Sequence, residues 1–161
     1  MFITSNSAEM NIQAWDNTYR NNSGSNGGGI ALENSYNVNF TREHWMENFA
    51  DANGGSVWTL RSEIAISNSL IESSTSESSG GAIYGSSESI IELIESQIRY
   101  CSARTNGGAV SLSNSHSMMT NLTISNTTSE LGGAIAVLAK SVLRSSNLTI
   151  AFSYAEKGGA I

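Results

Sequence analysis

Glycine is placed in this chain with a fixed period. Gly27-Gly28-Gly29-Ile30, Gly54-Gly55-Ser56-Val57, Gly80-Gly81-Ala82-Ile83, Gly107-Gly108-Ala109-Val110, Gly132-Gly133-Ala134-Ile135 and Gly158-Gly159-Ala160-Ile161 start 27, 26, 27, 25 and 26 residues apart. Thirteen of the fifteen glycines fall in these six marks, so the spacing is not a compositional accident. A period of this size means a repeat architecture, in which each unit buries its apolar face only against its neighbours.

The units run 27–53, 54–79, 80–106, 107–131 and 132–157. A degenerate first unit covers 1–26, and a further one begins at 158–161. In the first unit Met1 and Phe2 stand where glycines are expected, and Ile3 is read in register with Ile30. Between marks the apolar residues alternate, as in Ile64-x-Ile66, Leu122-x-Ile124 and Leu148-x-Ile150. That is the strand period, not the helix period. Each unit holds three such runs, in Gly80–Asn106 for instance Ile83, then Ile91 and Leu93, then Ile98 and Tyr100. Two units leave the choice of inward residue open, Met118 or Met119 and Val142 or Leu143. The chain as a whole reads as an all-β, right-handed parallel β-helix with about 26 residues per coil and about six coils. Right-handedness follows from the crossover rule.

Each mark has a physical reason. The residue closing it, Ile or Val at 30, 57, 83, 110, 135 and 161, is expected to stack inward as one ladder. The residue before it is always small. The glycines permit positive φ and close backbone approach at a tight corner. The variation in unit length belongs in the turns, because a slip inside a strand would turn its core face outward.

Composition decides between this reading and disorder. Hydrophobic residues make up 39% and charged residues 14%, with Ser, Asn and Thr filling the gap. The regular aliphatic ladder argues against disorder. Proline is absent, as a chain of β ladders requires. With net charge −6 and eight scattered basic residues, nucleic acid is not an expected partner. The one cysteine, Cys101, is read as a buried thiol. No apolar run is long enough to span a bilayer, so no direct membrane insertion is expected in this segment. The first ten residues do not read as a signal peptide, which places any export signal or anchor elsewhere.

The glycine marks followed by Ile or Val resemble the repeats of the chlamydial polymorphic membrane proteins, and similar repeats occur in surface proteins of microbial eukaryotes. The marks at 80–83, 132–135 and 158–161 match the GGA-aliphatic pattern in full, and 107–110 is its valine variant. The companion FxxN element has its nearest form in Trp45-Met46-Glu47-Asn48. The resemblance implies an exported, surface-exposed region used in adhesion, and it supplies no catalytic residues.

The reactive residues make no constellation. Asp16 and Asp51 lie off the coil period from one another and cannot stack. Glu88, Glu92 and Glu95 share one unit and read as an acidic, solvated stretch. His44 and His116 lie in different units with no second metal ligand at useful spacing. We therefore expect no catalytic, metal or cofactor residues. Trp58 and Tyr84 each follow a ladder residue, so strand alternation points both outward on successive coils, a possible contact face or a plain stacking ladder. Sequons at Asn21, Asn39, Asn121, Asn126 and Asn147 are glycosylation candidates in a secreted eukaryotic protein.

These features lead us to expect a non-enzymatic region, extracellular or on the cell surface, acting as adhesin or structural scaffold. Its partner would be a protein or glycan of a host or neighbouring cell. The alternatives are a carbohydrate-active β-helix enzyme and a self-assembling filament whose copies join end to end. The open first and last strands suggest a piece of a longer coil or such end-to-end joining.

Overall fold

The computed structural model describes residues 1–4 and 11–161. The described residues form a parallel β-solenoid of about six turns, without helix. Three sheets run along it. The first stacks Phe2–Thr4, Ile30–Glu33, Val57–Leu60, Ile83–Ser86, Val110–Ser113 and Ile135–Leu138. The third stacks six short strands from Ser23–Gly24 to Tyr154–Lys157. The second takes two strands from each of the earlier coils, such as Val38–Thr41 and His44–Met46. In the last two coils these fuse into His116–Ser125 and Val142–Ala151. A coil therefore has four strand segments, where the sequence suggests three apolar runs. The fourth is the short strand of the third sheet, such as Thr75–Ser76 or Ser102–Ala103, which carries almost no apolar residues.

Register follows the glycine marks. Ile30 pairs with Val57, Val57 with Ile83, Ile83 with Val110 and Val110 with Ile135, and all five are fully buried. Neighbouring coils sit about 4.8 Å apart, the spacing of hydrogen-bonded strands. The first coil departs from the expected register. Ile3 pairs with Leu32, not Ile30, and Met1 is the residue that reaches the ladder position, its carbonyl accepting from Ala31 N at 2.9 Å. The open choices are settled too. Met119 is fully buried and Met118 exposed, while Leu143 packs on the core and Val142 is exposed.

Corners are made by stacked residues with left-handed backbone. One column is the first glycine of each mark, such as Gly80 at φ 69°. The other three columns are largely not glycine: Asn34, Arg61, Ser87, Asn114 and Ala139; Asp16, Arg42, Asn68, Glu95, Asn121 and Asn147; Asn21, Glu47, Ser73, Tyr100, Asn126 and Phe152. Asn and Asp tolerate this region best, and they hold eight of these positions. Between the second and third columns the interval is five residues in every coil. The variation in coil length falls in two turns, just after the 34-type corner and before the glycine, as register preservation requires.

Just past most of these corners a small polar side chain turns inward. Ser35, Ser62, Ser89 and Ser115 are buried at the first, and each hydroxyl bonds a carbonyl two or three residues back. The Ser62 hydroxyl also accepts the Ser35 backbone N–H at 3.1 Å, and Ser141 does the same for Ser115. At Ser35, Ser62 and Ser115 the neighbouring coil thus satisfies the corner amide, which an apolar side chain could not do. The second glycine of each mark has a different role. A Cβ on Gly81 would collide with the Gly108 carbonyl and the Ser102 backbone, where two backbones meet without a side chain between them.

Candidate functional site

The outward row of the first sheet runs Phe2, Ala31, Trp58, Tyr84, Ser111, Ala136. Trp58 and Tyr84 are paired in register on adjacent coils, and both are half-buried. They are held outward because Val57 and Ile83 before them, and Thr59 and Gly85 after them, face the core. The Thr59 hydroxyl donates to the Tyr84 carbonyl at 3.3 Å, tying the two strands together beneath the rings. Beside Trp58 lies an open depression of about 360 Å³, bounded by Phe2, Ser25, Asn26 and Glu33. The Glu33 carboxylate is 3.3 Å from the Arg61 guanidinium. An apolar ring face bordered by amide, hydroxyl and carboxylate groups suits a ligand with both a flat apolar surface and hydroxyls or amides.

The remaining residues singled out in the sequence lie apart from this row. Asp16 stands at a corner and receives two hydrogen bonds from Arg42 at 2.8 Å, which hold its carboxyl below the usual value. Asp51 is exposed in another turn. Glu88 and Glu95 occupy corners on either side of the strand that carries Glu92. His116 is exposed on its strand, and among the described residues no group of three acidic, His or Cys side chains is placed to hold a metal ion.

His44 belongs to a cross-coil cluster that the sequence did not reveal. Its Nε2 lies 2.8 Å from Glu72 Oε1, and Arg99 Nε donates to Glu72 Oε2 at 2.8 Å. Burial pushes the Glu72 carboxyl up, but the hydrogen bonds from His44 and Arg99 and the charges of both outweigh it and hold it below its ordinary value. The signal was available: His44, Glu72 and Arg99 are 28 and 27 residues apart, one coil and a small lateral step. Glu43 is a second surprise. It is 2% exposed, takes the inward place that Ser69 and Ser96 fill in later coils, and accepts from Asn17 N and Nδ2 at 3.1 Å. Burial pushes its carboxyl up, and the Asn17 hydrogen bonds only partly offset this.

Cys101 is buried among corner residues, as read from the sequence, in the column of Asn48, Ser74 and Thr127. Burial pushes its thiol up to about 12, and Sγ donates to the Arg99 carbonyl at 3.3 Å. The same column explains the FxxN-like element. Trp45 fills the core, Glu47 turns the corner, and Asn48 turns inward to accept from Asn22 N and donate to Tyr19 O. Tyr19-Arg20-Asn21-Asn22 repeats the pattern one coil earlier, and later coils keep it as Ile-x-x-Ser, Ile-x-x-Cys and Ile-x-x-Thr. Four of the sequon asparagines, Asn21, Asn121, Asn126 and Asn147, sit exposed at left-handed corners, whereas Asn39 lies mid-strand and half-buried. Asn147 Nδ2 donates to Asn121 Oδ1 at 2.9 Å.

No family model, no curated protein and no solved structure matches the chain.

Proposed function

We propose that this chain is an extracellular or cell-surface β-helix region that acts as an adhesin or structural scaffold, with Trp58 and Tyr84 as its contact face. The observation that carries the reading is the in-register pairing of these two outward rings on adjacent coils, beside an open depression. A stack of coils tied at every corner is rigid, so such a row presents its side chains with little ordering cost on binding. The glycine marks add support through their resemblance to the polymorphic membrane protein repeats. The partner is a surface protein or glycan.

The test is binding of the purified chain to an array of immobilised glycans and to intact cell-surface protein extracts. Trp58→Ala and Tyr84→Ala together should weaken the strongest interaction by roughly 30-fold, the effect of losing about 2 kcal/mol at a hot spot. An outward change on another sheet, Thr123→Ala, should leave it unchanged. Binding that survives the double substitution would rule out this face.

A further inference from the structure

The outward face of the second sheet carries an ordered gradient of charge around an apolar centre. On one coil the outward side chains are Glu88, Ile90, Glu92 and Ile94, with Glu95 at the corner beyond them. On the next they are Asn114, His116, Met118 and Thr120, and on the third Lys140, Val142, Arg144 and Ser146. Ile90, Met118 and Val142 are 42%, 47% and 42% exposed, and they are contiguous across the three coils in a shallow depression of about 320 Å³. Among the described residues none of Glu88, Glu92, Lys140 and Arg144 is in an ion pair.

We infer that this face pairs laterally with the same face of a second copy, about a two-fold axis lying along the strand His116–Thr120. A two-fold axis in the plane of a face-to-face interface brings each residue opposite its reflection across that axis. The middle coil then meets itself, with Met118 on Met118 of the second copy and His116 on His116. The acidic coil meets the basic one. Glu92 faces Arg144, Glu88 faces Lys140, and Ile90 faces Val142, each twice. Placing the axis one coil to either side would set the acidic row or the basic row against itself and leave part of the apolar centre uncovered. The coil axes of the two copies run antiparallel. This contact is independent of the Trp58–Tyr84 face, which lies on another sheet.

The patch covers only three coils, so it is smaller than the roughly 800 Å² per partner of a standard interface, and the expected dissociation constant is roughly 10 µM to 1 mM. Sedimentation equilibrium of the whole chain over that range should show monomer and dimer and nothing larger. Glu92→Arg alone and Arg144→Glu alone should each weaken dimerisation on the order of 100-fold, because two like-charge contacts replace two attractive ones. Mixing the two variants should restore it, since Arg at 92 of one copy then meets Glu at 144 of the other. Unchanged far-UV spectra and melting transitions establish that both variants fold. Met118→Cys should be captured as a dimer by a short bismaleimide cross-linker, which spans two sheets packed face to face, and Ser67→Cys, outward on the same sheet, should not. Monomer at all concentrations overturns the inference. So does a dimer indifferent to both charge changes, a mixture that fails to recover, or open-ended oligomers that persist in the variants and mark end-to-end joining.

Discussion

Gly29 makes room for Trp45. A Cβ on Gly29 would lie 3.1 Å from Trp45 Cδ1, and Gly29 is the only one of the five described inward mark positions that lacks one. Its counterparts Ser56, Ala82, Ala109 and Ala134 belong to coils whose ladder residue at the Trp45 level is Ile71, Ile98, Ile124 or Ile150. The indole is fully buried, stacked on Tyr19 at 5.4 Å and edge-on to Phe40 at 5.5 Å.

The pair should therefore be coupled. Gly29 has no left-handed φ, so Gly29→Ala is opposed by packing and not by backbone conformation. Alone it should destabilise by about 1–2 kcal/mol through overpacking. Together with Trp45→Ile it should do so by much less, with a coupling energy near 1 kcal/mol in a double-mutant cycle of urea midpoints. Additive effects would separate the two residues.

Ile83→Asp should be severe, above about 4 kcal/mol, because it buries an unpaired charge in the middle of the ladder. Ser86→Asp, outward on the same strand and half-buried, should stay within about 1 kcal/mol. Comparable shifts in melting temperature for the two would contradict the register.

Two carboxylates should give opposite pH dependences. Glu72 has its pKa lowered, so the folded state binds fewer protons, and its contribution is present above its ordinary value of 4.5 and lost as pH falls through the lowered one. Glu43 has its pKa raised, so the folded state holds its proton longer, and stability falls as pH rises above 4.5 through the raised value. Glu72→Gln should flatten the urea midpoint against pH below about 4.5. Glu43→Gln should make stability climb more with pH above it. The same slope change from both would contradict the assignment.

The contact-face reading also predicts that the chain releases no unsaturated or reducing ends from polygalacturonate or alginate above a heat-killed control. Release at a rate abolished by Glu72→Gln would instead favour the enzyme alternative and would place its chemistry at the His44–Glu72–Arg99 cluster.

The inward ladder was legible in the sequence because Ile30, Val57, Ile83, Val110 and Ile135 carry their orientation in a local mark. The outward placement of Trp58 and Tyr84 was legible for the same reason. The corners were not. Ser62, Ser69 and Ser74 look like solvent-facing turn residues, yet each is buried, with a hydroxyl bonded to a carbonyl two residues back. Local alternation cannot show that the amide one coil away needs them. The dipeptides Asn68-Ser69 and Asn114-Ser115 were the available signal, a left-handed residue followed by an inward hydroxyl. The Ile90–Met118–Val142 patch stayed hidden because Met118-Met119 and Val142-Leu143 are adjacent apolar pairs, which alternation alone cannot orient. Glu43 broke the rule that buried positions are uncharged, and only Asn17, one coil away, explains it.

The register of the coils underlies every reading above, and a paired-cysteine experiment measures it directly. Ser86 and Ser113 are half-buried, outward and paired on adjacent coils. In a Cys101→Ser background, Ser86→Cys with Ser113→Cys should form a disulfide in near-quantitative yield on mild oxidation, since strand partners about 4.8 Å apart fall within disulfide reach. Ser86→Cys with Ser111→Cys, displaced by two residues along the strand, should stay reduced under the same conditions. A linked 86–111 pair beside an unlinked 86–113 pair would contradict the coil register and the faces built on it.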